Sequence, residues 1–238
     1  MGSVGTDRME LQQLMRTSSR KPEHLLFCFS GFDARWTNPD VLNDVLELTE
    51  RIIRIKHQMN PKHKIELSYI NLNTLETPVA VTTDPSETRA ALDTIKTNLL
   101  SLRLESRLRL PAIVPQVVQY FRQNSSSDVF TPRVVLIHVH SNQLEIEPFP
   151  EEVEGNAGEL LSLAVDCVFL RGQQLNEQAQ LAFDNFCSLD FFTSVVSPYF
   201  LDVSDSKERL HQAFSLLLSH PAHRLPQEKV ETRLASSG

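Results

Sequence analysis

Apolar positions recur along this chain in two rhythms, short unbroken runs and stripes spaced by three and four, and their alternation predicts the architecture. The leading run, Leu25-Leu26-Phe27-Cys28-Phe29, passes directly into Ser30-Gly31. A run of this kind, ended by turn residues, predicts a strand covered on both faces, as central strands of parallel sheets are. A helix follows. Val41, Val45, Leu48, Ile52, Ile55 and Met59 are spaced by four, three, four, three and four, and Leu42, Leu46 and Ile53 widen the stripe. Asn38-Pro39 starts this helix and Asn60-Pro61 ends it.

Lys64–Leu72 alternates Ile65, Leu67 and Tyr69 against Glu66 and Ser68, a strand, and Val79–Val81 is a short second one. Thr82-Thr83-Asp84-Pro85 opens a helix with Ala91, Leu92, Ile95, Leu99 and Leu102 inward. Another covers Pro111–Gln123 with Ile113, Val117, Val118 and Phe121 inward, and Asn124–Asp128 is a loop. Strands are predicted at Arg133–His140, Val165–Leu170 and Phe191–Val196. Helices are predicted at Leu175–Ser188 and at Asp205–Ser219, the latter with Leu210, Ala213, Phe214, Leu217 and Leu218 packed. Ser141–Gly158, rich in Glu, Pro and Gly, reads as a long loop.

Strands alternating with helices imply right-handed crossovers. The predicted fold class is therefore α/β: a three-layer open, mostly parallel sheet with one antiparallel edge hairpin, Val79–Val81 against Lys64–Leu72. No linker divides the pattern. Residues 1–22, polar with a weak helical patch at Met9–Met15, form a flexible N-terminal arm; 23–219 form the domain; 220–238, without apolar periodicity, form a C-terminal tail.

Composition narrows the function classes. The net charge is −7, with 23 Lys+Arg against 30 Asp+Glu, which argues against a nucleic-acid surface. Cys28, Cys167 and Cys187 are too few and too scattered for a disulfide framework or a zinc motif, and they suit a reducing compartment. No stretch reaches the length of a membrane span. Met1–Thr6 fits a myristoylation pattern, a short motif that carries no weight alone.

Candidate chemistry is sparse. A phosphate loop needs several placed glycines, and only Gly31 follows the first strand. A nucleophile elbow needs glycines two residues before and after its serine; Ser30 has neither. A Ser–His–Asp or Cys–His site could assemble only from distant residues that nothing singles out. His138 and His140 share a strand face and could offer two metal ligands, although polar residues near the solvent end of a strand explain them as well. His220 and His223 flank a helix end, where a cation suits the free carbonyls. Arg103, Arg107 and Arg109 read as a solvated helix-to-helix connection.

The order of elements resembles a von Willebrand factor A domain. That family holds Mg²⁺ with an Asp-x-Ser-x-Ser loop after the first strand. Here the ligand positions read Ser30, Phe32 and Ala34, and Asp33 falls on a spacer, so no metal or other cofactor is expected. Within the superfamily the chain resembles the family of MERIT scaffold subunits of the BRISC and BRCA-A deubiquitinase complexes. The resemblance rests on Leu26-Phe27-Cys28-Phe29, Ile55-Lys56-His57 before Lys62-His63-Lys64, Thr83-Asp84-Pro85, and Leu217-Leu218-Ser219-His220-Pro221 with Arg224. It spans about residues 22–225 and departs from the vertebrate-type pattern in lacking a long polar N-terminal extension.

This resemblance implies a non-catalytic scaffold, cytoplasmic and nuclear, acting in the ubiquitin pathway and DNA repair. Its partner would be a BRE-type subunit with ubiquitin-conjugating-enzyme-like domains, and through it the zinc deubiquitinase that cleaves lysine-63-linked chains and its pseudo-enzyme partner. The resemblance also implies that the tail docks on the BRE-type subunit, through His220, Pro221, Arg224, Leu225 and Pro226, and that truncation after Ser219 spares the fold. Three alternatives stay open. The chain could be a metal-dependent binder using Ser30 and Asp33, an α/β enzyme with a dispersed site, or a von Willebrand A-like subunit of another assembly such as TFIIH.

Overall fold

The computed structural model describes residues 21–35, 37–103, 106–126, 129–150, 163–171, 176–192, 198–203 and 206–229. Strand β1, Glu23–Ser30, is buried along its whole length. It lies between β2, Lys64–Asn71, and β6, Thr131–Val139, and is parallel to both. Beyond β6 come β8, Ala164–Leu170, and the edge strand β9, Phe200–Val203, again parallel. On the other side, β3, Thr74–Leu75, and β4, Val79–Val81, each pair antiparallel with β2. The sheet is open and mostly parallel with an antiparallel edge, the fold class expected from the sequence.

Strand alternation sends side chains to two cores. Leu25, Phe27 and Phe29 of β1 join a core built with α1 (Pro39–Met59), α2 (Pro85–Ser101) and α5 (Lys207–Leu216). Leu26 and Cys28 join the opposite core, built with α3 (Leu110–Asn124) and α4 (Glu177–Cys187). Caps follow the local sequence. Asn38 accepts from the Asp40 amide at 2.9 Å ahead of Pro39, and Asp84 accepts from the Ser86 amide at 2.8 Å ahead of Pro85.

The differences from expectation have local causes. The final strand is not Phe191–Val196: Ser188–Phe192 closes α4 as a 3-10 turn, residues 193–197 lie outside the described residues, and the chain pairs with β8 only from Phe200. There Tyr199, Leu201 and Val203 face one core and Phe200 the other. In α1 the stripe slips at its end, with Met59 61% exposed and Lys56 buried in its stead. Arg107–Arg109, read as a helix connection, is strand β5, paired parallel with β7, Glu145–Glu147, inside the expected long loop. Arg107–Glu145 and Arg109–Glu147 ion pairs at 2.8 and 3.2 Å support that ribbon. Leu72 and Asn73 both have positive φ, the left-handed pair of a two-residue hairpin turn, and end β2 one residue early. Most of the N-terminal arm (1–20), Leu175, Asp205, 151–158 of the long loop and the tail beyond 229 lie outside the described residues.

Candidate functional site

The carboxyl rim of β1 is where an open parallel sheet would present a ligand site. Ser30 ends the strand, and its Oγ shares a hydrogen bond with His138 Nδ1 at 3.0 Å, both residues buried. Gly31 has φ +77°, and a Cβ there would stand 2.2 Å from the Val139 carbonyl oxygen and 2.6 Å from the His138 ring. Only glycine fits that conformation and that approach.

Phe32 is wholly buried, its ring 6.0 Å from Phe29, so the position that offers a serine hydroxyl in the metal-binding pattern here fills the core. Asp33 is buried too, but its carboxylate is held by Arg35. Arg35 Nε donates to Oδ1 at 2.9 Å, Nη2 donates to Oδ2 at 2.7 Å, and the Arg35 amide donates to Oδ1 at 2.8 Å. A cation ligated by Asp33 would have to displace this guanidinium fork. Ala34 is exposed and offers only a methyl group. These residues do not fit a hard divalent ion, and among the described residues no group of three His, Cys, Asp or Glu side chains could hold a metal.

His138 and His140 share a face, as expected, but they do not sit at a solvent end. They are 0% and 9% exposed and lie 5.3 and 5.2 Å from the Phe169 ring, nearly parallel to it. Burial holds the His138 imidazole well below its ordinary range, with His140 adding to the effect, and burial lowers His140 as well. Both are neutral aromatic core residues at neutral pH. Burial also pushes the Cys28 thiol up to about 12 and the Cys187 thiol up to about 11, far from a nucleophile's range.

The amino ends of the strands hold a buried charge network that the sequence reading missed. Glu23, Lys56, Arg133 and Asp166 are each 0–1% exposed. Lys56 Nζ pairs with Glu23 Oε2, Arg133 Nη1 with Glu23 Oε1 at 2.9 Å, and Arg133 Nε and Nη2 with Asp166 Oδ2 at 2.8 Å. Burial pushes the Glu23 carboxyl up, but Arg133 and Lys56 outweigh it and hold the group down at about 2. Burial also lowers the Lys56 ammonium to about 8, despite the pull of Glu23. His63 Nδ1 accepts from the Glu23 amide at 2.8 Å. On the other face, Glu66 Oε2 joins His24 Nε2 at 2.7 Å and accepts from Tyr120. The signal that could have found the network is a charge embedded in an apolar run, as in Val165-Asp166-Cys167.

The tail residues meet this network. The side chain of Arg224 is fully buried: Nη1 donates to Asp166 Oδ1, Nη2 to Oδ2 at 2.7 Å, and the guanidinium lies 4.6 Å from the centre of the Tyr199 ring. His220 is half-buried and accepts from the Ala222 amide at 3.2 Å, capping a 3-10 turn over Pro221–His223 in which Pro221 is buried. Leu225 is 39% exposed and Pro226 is exposed. The expected boundary after Ser219 sets the tail apart, yet residues 220–229 lie on the domain. Arg224, expected as an anchor for a partner, is engaged within the chain.

No protein-family model matches this chain, and no curated protein does. Among solved structures it is similar to the pilus adhesin SpaC from Lactobacillus rhamnosus GG, with 10% identity and a TM-score of 0.52 over 83% of this chain and 30% of the adhesin. It is also similar to the SpRpn10 VWA domain, with 15% identity and a TM-score of 0.47 over 81% of this chain and 93% of that one. A third similarity is to the conserved hypothetical protein BatB from Bacteroides thetaiotaomicron, with 11% identity and a TM-score of 0.48 over 81% and 97%. The similarity to the adhesin shows the fold alone, and the chain has the open, mostly parallel α/β sheet with an antiparallel edge that the sequence predicts.

Proposed function

We propose that this chain is a non-catalytic scaffold subunit of a BRISC-type deubiquitinase assembly specific for lysine-63 linkages, and that it works by binding the BRE-type subunit. The observation that carries the non-catalytic part is the state of the β1 rim: Phe32 is packed into the core and Asp33 is closed off by the Arg35 fork. A usual ligand position filled by the domain's own side chains supports action through protein contact over chemistry at that rim. The partner part is supported by the sequence resemblance over about residues 22–225, on a fold of the right class.

The exposed Leu225 and Pro226 supply an apolar, stiffened contact on the tail. The test is affinity capture of the tagged full chain with mass spectrometry, followed by direct binding to the recombinant BRE-type subunit. The BRE-type subunit is expected among the captured proteins, with affinity reduced about tenfold by Leu225→Glu. Capture without that subunit, by a chain shown to be folded, overturns the assignment.

A further inference from the structure

Five ionisable side chains are sealed together at the amino ends of the strands, each no more than 1% exposed: Glu23 of β1, Lys56 of α1, Arg133 of β6, Asp166 of β8 and Arg224 of the tail. They form one run of contacts. Lys56 Nζ meets Glu23 Oε2, Arg133 spans Glu23 and Asp166, and Arg224 Nη2 donates to Asp166 Oδ2 at 2.7 Å. Two carboxylates therefore face three cations, and one buried positive charge is left without a partner of opposite sign. The excess arrives with the tail, because without Arg224 two carboxylates face two cations. Neither guanidinium gives up its proton in the range where proteins fold, whereas an ammonium can. Lys56 is thus the member able to restore the balance. Its value falls to about 8 chiefly through burial, with Arg133 and Arg224 adding to the fall against the pull of Glu23. The imidazoles beside the cluster are His63, which accepts from the Glu23 amide at 2.8 Å, His57 of α1 and His220 of the tail. Burial lowers His57 and His63, so neither changes charge above neutral pH.

We propose that residues 220–229 form a proton-coupled latch, in which docking of Arg224 drives the proton from Lys56 and a charged Lys56 loosens the tail. The coupling is reciprocal, because both events draw on the same two carboxylates. The docked chain binds fewer protons than the released one. Docking therefore tightens as pH rises through the docked Lys56 value and levels off at the released one. At neutral pH Lys56 keeps its charge and the tail is held with one cation uncompensated, so a modest rise in pH strengthens the latch. The other contacts that hold the tail join uncharged groups: the Tyr199 hydroxyl with the Leu225 carbonyl, and the Gln227 amide with the Phe200 backbone. They fix where the tail lies and leave the pH dependence to the cluster. This inference does not rest on the scaffold reading.

Trypsin reads the latch directly, because cleavage after Arg224 requires that side chain to leave Asp166 and enter the protease. The full chain is digested at pH 7.5 and at pH 9. Each rate of cleavage after Arg224 is divided by that of a free peptide of residues 220–229 at the same pH, which removes the protease's own pH dependence. With Lys56 at about 8 when docked and at its ordinary 10.5 when released, the normalised rate is expected to fall about eightfold from pH 7.5 to pH 9. Lys56→Met leaves two carboxylates with two guanidinium groups, so it should be cut slowly at both pH values and show no fall. An unchanged normalised rate in the natural chain overturns the latch, and so does an equal fall in Lys56→Met. Should Lys56→Met not fold, the Lys56 side-chain resonance is followed by NMR in the natural chain and in Arg224→Gln. Its midpoint is expected to rise from about 8 toward 10.5 once the tail's charge is gone, and an unmoved midpoint overturns the coupling.

Discussion

Replacing Glu23 with Gln isolates what the buried network contributes to the fold. The side chain keeps its shape and loses its charge, so Lys56 and Arg133 lose their shared carboxylate. The magnitude follows from two directions. Glu23 sits at about 2 in the folded chain against its ordinary 4.5, which at 1.4 kcal/mol per pH unit corresponds to about 3 kcal/mol at neutral pH. Breaking a buried ion pair by removing one partner costs roughly 3–5 kcal/mol. The lower end applies here, because Lys56, already lowered to about 8, can shed its proton once its counter-charge is gone.

The pH dependence carries the sign. A depressed carboxylate stabilises fully above its unfolded value and loses that contribution as pH falls toward its folded value. Urea unfolding from pH 2 to pH 8 is therefore expected to show the natural chain about 3 kcal/mol more stable than Glu23→Gln at pH 7. The difference should shrink below pH 4.5 and nearly vanish by pH 2. Glu23→Gln combined with Lys56→Met should recover at least about 1 kcal/mol relative to additive costs. A difference under about 1 kcal/mol at pH 7, or one that does not change with pH, refutes the reasoning.

Other consequences are as direct. Gly31→Ala forces a Cβ to within 2.2 Å of the Val139 carbonyl at φ +77°, so thermal melting should show a loss of more than about 2 kcal/mol. His138 is neutral because it is buried, so the unfolded chain takes up that proton first. Melting temperature should fall as pH drops below about 6.5, and His138→Gln should flatten that part of the curve. Millimolar Mg²⁺ or Mn²⁺ should shift the melting temperature by less than about 1 °C, and a larger rise would reinstate a metal-dependent site at Ser30 and Asp33. A chain ending at Ser219 loses Arg224 from a fully buried pair with Asp166, so it should melt well below the full chain rather than retain its stability.

Elements whose signal is periodic were legible in the sequence. The stripe of α1, the run of β1 and the inward faces of α2 and α3 need only one residue type repeated at one spacing, and the buried set matches them except at the ends of the α1 stripe, where Val41 and Ile55 are half-buried and Met59 is exposed. Two kinds of feature were not legible. Short strands such as β5 and β7 owe their existence to each other across 38 positions, through Arg107 with Glu145. No local pattern states such a pairing. Buried charges also defeat an apolar-inward reading: Lys56 looks like a solvent-facing residue until Glu23, at the far end of another element, supplies its partner. The β1 rim lies between these cases. That Ser30, Phe32 and Ala34 cannot grip a hard cation was visible from residue types alone, whereas the closure of Asp33 by Arg35 needed the geometry.

The residues that carry the resemblance sort by what they touch. Lys56 and His63 meet at Glu23, Asp84 caps α2, and Arg224 closes on Asp166. Each has a structural task that would fix its identity with no partner bound, so a match at these positions speaks first to how the domain is built. Partner choice has to reside in side chains the fold leaves free to vary, and among the described tail residues Leu225 and Pro226 are two of these, facing outward between two internal contacts. An Arg224 variant that loses a partner therefore proves nothing about recognition, since it also unlatches the tail. A Leu225 variant separates the two, because its side chain makes no hydrogen bond while its carbonyl keeps the Tyr199 contact.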